Sequence, residues 1–159
     1  MRGHSSRQAG FTLIELMTVT AIVLILAGGS VAAYLNFNKN QSMDSDARSL
    51  VSEIYRVRNL ASSMQYPTGC TSLKGYNIKS DISLTGLLLT VNCVPSNVMF
   101  PVVKILSVSV FTNAIDVSFL PGSGYLINGA DQQITIKNSN DVTVTKIITV
   151  GQYGNIISN

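Results

Sequence analysis

The chain has 159 residues, which suits a single domain with an N-terminal extension, and its formal net charge is +3 at pH 7. Arg2 and Arg7 lie within the first ten residues, so the remaining sequence is close to neutral and does not favour a nucleic-acid partner. Only 12% of the residues are charged, against about 25% in soluble domains. A membrane segment explains part of this difference, and a C-terminal half rich in Val, Ile, Ser, Thr, Asn and Gly explains the rest.

The N-terminal segment combines a basic leader with a long apolar run. Residues 1–10 are polar and basic and end at Gly10, and residues 11–35 are mostly apolar. As an α-helix this run would extend about 37 Å, enough to cross a hydrocarbon core of about 30 Å. Because basic residues precede the run, we expect the leader in the cytoplasm and everything after residue 35 in the periplasm. Glu15 is the one carboxylate inside the run, where a charge needs a partner or a purpose.

The eight residues from Gly10 to Met17, GFTLIELM, resemble the type III signal of type IV pilins and type II secretion pseudopilins. The resemblance implies that a prepilin peptidase, an aspartyl peptidase of the inner membrane, cuts between Gly10 and Phe11. It also implies N-methylation of the new Phe11 amine. It further implies a filament whose core is a bundle of N-terminal helices, in which Glu15 pairs with the Phe11 amine of a neighbouring subunit.

An ordinary secretory signal is the alternative for this segment. Ser30 and Ala32 could supply the small residues that signal peptidase requires, and the mature chain would then begin at Ala33. That alternative places Glu15 inside the apolar part of the signal, where a carboxylate is disfavoured. The sequence therefore favours the pilin-type signal.

Residues 36–65 have the pattern of an amphipathic helix. Apolar side chains recur at spacings of three and four, which predicts a core-facing stripe formed by Met43, Ala47, Leu50, Val51, Ile54, Val57, Ala61 and Met64. Asp44, Asp46 and Arg48 fall mainly on the other sides, and Asp44 to Arg48 is a favourable acid–base pair one turn apart. Pro67 disfavours helix in the residue before it, so we expect the helix to end near residue 65.

The C-terminal half predicts short strands separated by turns. The candidate strands are residues 86–94, 98–112 as one strand or two, 115–120, 125–128, 132–137, 142–150 and 153–158. Their spacing favours an antiparallel sheet. The fold class is therefore α+β and pilin-like, with a leader at 1–10, a transmembrane and assembly helix at 11–35, its amphipathic continuation at 36–65 and a β-rich periplasmic domain at 66–159.

A second resemblance concerns the end of the chain. The turn VSFLPG at 117–122, the strand at 134–136 and the segment 144–157 with Gly151 and Gly154 are similar to the end of GspH/FimT-like minor pilins and pseudopilins. Some DNA-binding members of that group carry a basic Gly-Arg-x-Arg motif there. The corresponding residues 154–157 read GNII, without arginine, which argues against a role in DNA uptake.

The sequence offers no constellation for catalysis. The sole histidine, His4, lies in the leader, so nothing is left to activate Ser123 as a nucleophile, and no metal-ligand or cofactor-binding spacing is present. Cys70 and Cys93 suit one disulfide in an oxidising compartment such as the periplasm, with two unrelated buried thiols as the alternative.

These features predict a structural subunit, a minor pilin or pseudopilin, of a type IV pilus or a type II secretion pseudopilus. Its partners would be the prepilin peptidase, other pilin or pseudopilin subunits and the inner membrane. Two alternatives stay open. One is a binding module at a filament tip, for DNA uptake or adhesion, and the other is a major pilin that builds the whole fibre.

Overall fold

A computed structural model describes residues 10–158, without the side chains of Ser30 and Ala32. The predicted leader therefore lies outside the described residues except for Gly10. The chain divides into two compact units, Met1–Lys39 and Asn40–Asn159.

Helix α1 comprises Leu13–Ser62, 50 residues without an internal break. Thr12 caps its start, because its hydroxyl oxygen accepts a hydrogen bond from the backbone nitrogen of Glu15 at 3.3 Å. The helix ends three residues earlier than the predicted residue 65. Met64 takes a positive φ of 50°, and its nitrogen and that of Gln65 donate to Ala61 and Leu60, which closes the last turn before Pro67 is reached.

Two antiparallel sheets follow the helix and confirm the α+β class. The strands are β1 (Ser72–Ser80), β2 (Gly86–Val94), β3 (Val98–Met99), β4 (Val103–Lys104), β5 (Ser109–Phe111), β6 (Asp116–Phe119), β7 (Gln132–Asn138), β8 (Thr145–Val150) and β9 (Ile156–Ser158). The first sheet has the order β3-β2-β1-β6, with β4 also paired to β2, and the second has the order β5-β7-β8-β9.

Several strand predictions need correction. Strand β1 was not predicted, because its alternating part at residues 76–79 is short and a β-bulge between Leu73 and Gly75 puts Leu73 out of phase with it. Residues 125–128 form only an isolated bridge, between Leu126 and Phe119. The predicted strand or pair of strands at 98–112 is three short strands, with Pro101, which lacks a backbone donor, between β3 and β4. The final two strands begin later than predicted because turns occupy their first residues, with Val144 donating to Asp141 and Gly154 donating to Gly151.

The predicted stripe on α1 forms the core contact of the second unit. Met43, Ala47, Leu50, Ile54, Val57 and Ala61 are buried, as predicted. They share one core cluster with inward-facing side chains of both sheets, among them Tyr76, Ile78, Val91, Phe111, Phe119, Ile136, Ile148 and Val150. Each large side chain buried in this way contributes about 1.5–3 kcal/mol. Val51 is only partly buried, and Met64 is 51% exposed because it lies beyond the end of the helix.

The acidic residues of α1 differ from the prediction. Asp46 is not on an outer face but only 3% exposed. Its carboxylate accepts hydrogen bonds from the backbone nitrogens of Ser107, Val108 and Ser109 at 3.0–3.1 Å and from both serine hydroxyls. Asp44 forms its ion pair with Lys146 on β8, 2.8 Å away, whereas Arg48 was the predicted partner. Both carboxylates therefore join the helix to the segments that pack on it.

The electrostatics of Asp46 follow from these contacts. Burial raises the pKa of its carboxyl group, but the hydrogen bonds from Ser109, Ser107 and Val108 outweigh burial and hold the pKa below its ordinary value of 3.8. At neutral pH Asp46 is thus a buried anion whose oxygens accept hydrogen bonds from several surrounding donors. Burying a carboxylate is tolerated in proteins under this condition.

Cys70 and Cys93 form a disulfide, with their Cα atoms 5.5 Å apart. The bridge connects the loop after α1 to the end of β2. Thr71 supports the same junction, because its nitrogen and hydroxyl both donate to the carbonyl of Val94.

Candidate assembly site

The predicted site residues lie together at the start of α1. Phe11 is 85% exposed, and Glu15 lies one helical turn after it. With Leu16 and Val19 these two side chains line a shallow concavity of about 240 Å³. Phe11 precedes the helix, whereas Glu15 and Val19 lie one turn apart within it. The structure therefore brings Phe11 and Glu15 to one exposed face, directly after Gly10.

Glu15 also has a favourable position along the helix axis. It lies in the first turn of α1, where the unpaired backbone N–H groups carry partial positive charge and favour a carboxylate. An amine at Phe11 would add a full positive charge to the same end of the helix. This end can therefore both attract a carboxylate and offer one.

Most described side chains of residues 13–37 are apolar and exposed. One helix among the described residues, α1, contains a stretch long and apolar enough to cross a membrane, with a mean hydropathy of 2.2 and none of that stretch buried. Its exposed large side chains include Leu13, Ile14, Leu16, Met17, Ile22, Val23, Leu24, Ile25, Leu26, Val31, Leu35 and Phe37. So large an apolar surface requires lipid or other helices around it.

Two threonine side chains in the same stretch are satisfied inside the helix. The Thr18 hydroxyl donates to the carbonyl of Glu15 at 2.9 Å, and the Thr20 hydroxyl donates to the carbonyl of Met17 at 3.0 Å. Such bonds to the preceding turn let threonine lie in apolar surroundings without an unpaired hydroxyl. The Glu15 carboxylate thus remains as the charged group of this segment.

Comparisons with known proteins address both units. Residues 5–31 match the family described as the prokaryotic N-terminal methylation motif, a range that includes Gly10, Phe11 and Glu15. A crystal structure of the type IV minor pilin FimU from Pseudomonas aeruginosa matches with a TM-score of 0.58 and 14% identity, over 77% of this chain and 92% of that one. The N-terminal segment thus carries a methylation motif, and the fold is similar to that of this minor pilin.

A second crystal form of FimU gives the same result for this pilin fold, with a TM-score of 0.53 and 14% identity over 73% of this chain and 91% of that one. At this identity the likeness is one of fold alone. No curated protein sequence matches the chain significantly. The comparisons therefore show an N-terminal methylation motif and a pilin-like fold.

Two side chains in the turns of the β domain, Ser123 and Asp81, have structural contacts. Ser123 accepts a hydrogen bond from the nitrogen of Tyr125 at 3.2 Å, which stabilises a turn. Asp81 accepts from the nitrogens of Thr85 and Gly86 and so closes the turn between β1 and β2. Within residues 10–158, no group of three or more His, Cys, Asp or Glu side chains could hold a metal ion.

Proposed function

We propose that this chain is a structural subunit, a minor pilin or pseudopilin, of a type IV pilus or a type II secretion pseudopilus. The observation that carries the proposal is the position of Phe11 and Glu15 on one exposed face at the start of an apolar helix, within a methylation motif. The domain Asn40–Asn159 has no catalytic role in this proposal.

The proposed sequence of events begins in the inner membrane. Residues 11–35 span the bilayer once, with the leader in the cytoplasm and the β domain in the periplasm. Prepilin peptidase cuts between Gly10 and Phe11, and the new amine of Phe11 is N-methylated. The subunit then leaves the bilayer for a filament, where its apolar helix packs among the helices of other subunits.

The Glu15 carboxylate directs that last step in the proposal. In a bundle of apolar helices an unpaired carboxylate is unfavourable, so a subunit is stable there only where a cation meets it. The methylated Phe11 amine of a neighbouring subunit is such a cation. Registry between subunits would follow from this pairing, because an ion pair in apolar surroundings is satisfied only at short range.

A minor subunit of a pilus is the form of the proposal that the similarities favour. The C-terminal segment resembles GspH/FimT-like proteins, and the fold resembles FimU, which is described as a type IV minor pilin. A tip module for DNA uptake is the weaker candidate, because residues 154–157 lack arginine. The genes adjacent to this one would distinguish a pilus from a pseudopilus.

The test of processing is mass spectrometry of the protein isolated from its native membrane. We expect an N-terminal peptide that begins with N-methylated Phe11. Gly10→Glu should leave the leader attached, whereas Gly10→Ala, which keeps a small residue, is the matched control and should still be cut. A mature chain that begins at Ala33 would overturn the proposal.

A further inference from the structure

Arg58 is held on α1 between two glycines of the β domain. Gly124 lies in the turn after β6 and Gly154 in the turn before β9, with φ values of +65° and +80°. A Cβ on Gly124 would lie 3.2 Å from Cγ of Arg58, and a Cβ on Gly154 would lie 2.2 Å from its Nε. The two glycines thus leave the space that the arginine stem occupies.

The charge of Arg58 is unpaired within residues 10–158. Its Nε is buried without a hydrogen-bond partner, and none of its nitrogens forms an ion pair or hydrogen bond with the described residues. Arg56, by contrast, donates from its Nε to Glu53 at 2.9 Å. Holding a guanidinium at a fixed place without an acceptor is unfavourable, and five donors on one group favour a carboxylate there.

The acids of the domain are already engaged. Each carboxylate within residues 40–158 accepts a hydrogen bond or forms an ion pair inside the domain, namely Asp44, Asp46, Glu53, Asp81, Asp116, Asp131 and Asp141. A second copy of this domain would therefore offer Arg58 only carboxylates that are already partly engaged. A carboxylate of a different protein, without such contacts, suits Arg58 better.

Exposed tyrosines lie next to the two glycines. Tyr125 follows Gly124 and Tyr153 precedes Gly154, and their rings meet edge to face with centroids 5.4 Å apart. They are 44% and 62% exposed. Tyr55, one turn before Arg58 on α1, donates its hydroxyl to the carbonyl of Ile156 at 3.4 Å. We call these four residues the Tyr–Arg cluster. Tyrosine and arginine are the residue types enriched at the energetic centres of protein interfaces.

We propose that the Tyr–Arg cluster docks a different pilin subunit, through a segment that presents one carboxylate beside an apolar side chain. The carboxylate pairs with Arg58, and the apolar side chain packs on Tyr125 and Tyr153. The cluster contains one cation, which fits a single carboxylate better than a polyanion such as DNA. This inference rests on the proposed function, because it names the kind of neighbour that the subunit meets.

The experiment uses the full-length chain in its native cells. A photo-crosslinking phenylalanine derivative replaces Tyr125, and the same derivative at Ile82, a fully exposed position in the turn between β1 and β2, is the matched control. Crosslinked peptides are identified by mass spectrometry. We expect an adduct from position 125 to a different pilin, on a peptide that contains Asp or Glu, and none to that peptide from position 82.

Substitution of Arg58 then tests the charge. Arg58→Gln should reduce the adduct about tenfold, the effect of losing one strong interface contact, and Arg58→Lys should retain part of it. Arg58→Glu should abolish the adduct, and a second substitution that replaces the partner's acid with Lys should restore it. An adduct to a second copy, a peptide without an acid, or an adduct unchanged by Arg58→Gln would overturn the inference.

The same preparation separates this inference from the proposed function. If the wild-type chain is present in sheared filaments but the expected adduct is absent, only the role of the Tyr–Arg cluster is wrong. If the chain is absent from filaments and forms no adduct with any pilin, the proposed function itself is wrong.

Discussion

The carboxylate of Asp46 on α1 accepts two hydrogen bonds from Ser109 on β5, one from the backbone nitrogen at 3.0 Å and one from the hydroxyl at 2.7 Å. Ser107 and Val108 add further donors to the same carboxylate. A single charged side chain thus satisfies the backbone where the chain enters the second sheet. Packing of apolar side chains and this polar contact together attach the helix to that sheet.

Asp46→Asn should destabilise the β domain by about 3 kcal/mol. In the wild type the donors bind two charged carboxylate oxygens, whereas the amide would offer them one neutral oxygen. Asp44→Asn, two residues earlier on the same helix, is the matched control. Its ion pair with Lys146 is partly exposed, so a loss of less than about 1 kcal/mol is expected. Denaturant unfolding of the full chain in detergent measures both. Equal losses would contradict this role for Asp46.

Acid should remove the contribution of Asp46 to the stability of the β domain. Its folded pKa is held below the ordinary value of 3.8, so the stabilisation is present well above pH 3.8 and is lost as the pH falls through the folded pKa. The difference in melting temperature between wild type and Asp46→Asn should therefore be constant near neutral pH and shrink below pH 3.8. A difference in melting temperature that grows on acidification would show that the pKa of Asp46 is raised on folding and not lowered.

The disulfide should stabilise the domain by lowering the conformational entropy of the unfolded chain. Cys70 and Cys93 are 23 residues apart in sequence, and closing a loop of this size contributes about 3–4 kcal/mol in chain-entropy estimates. Peptide mapping without reductant should recover the linked peptides, and the double change to serine should lower the unfolding free energy by about that amount. Thiols that alkylate without reductant would contradict the bridge.

Two glycine substitutions separate backbone strain from steric conflict. Gly129→Ala adds a Cβ at a φ of +65° with no atom within 4 Å, so only strain of about 1–2 kcal/mol is expected. Gly154→Ala combines a φ of +80° with a Cβ 2.7 Å from the carbonyl oxygen of Gly124, and overpacking adds about 1–3 kcal/mol. Gly154→Ala should therefore have a lower melting temperature than Gly129→Ala, and the reverse order would contradict the close approach of Gly124 to Gly154.

The sequence predicted those elements whose pattern repeats over several turns. The stripe from Met43 to Ala61 follows the helical period, so its burial could be predicted. Strand β1 could not, because a β-bulge between Leu73 and Gly75 interrupts its short alternating run, and the burial of Asn77 depends on its hydrogen bond to Asp116. That contact depends on a strand 39 residues later in the chain.

The site was predictable to different degrees. Gly10, Phe11 and Glu15 lie within eight residues, so the sequence alone brings them together. Asp46 looked like a surface acid, since its donors lie more than 60 residues away. Arg58 gave no signal at all. Its setting depends on Gly124 and Gly154, which only the folded chain brings to the same place.

The most direct test of the proposed assembly is Glu15→Leu in the native host, with Thr20→Leu on the same helix as the control. The junction between Gly10 and Phe11 is intact in both, so both proteins should be processed and membrane-bound. Loss of the carboxylate leaves the neighbour's Phe11 amine unpaired in apolar surroundings. Quantified in sheared filaments, Glu15→Leu should be depleted about tenfold or more while Thr20→Leu stays near the wild-type level. Incorporation of Glu15→Leu at the wild-type level would contradict assembly through this carboxylate.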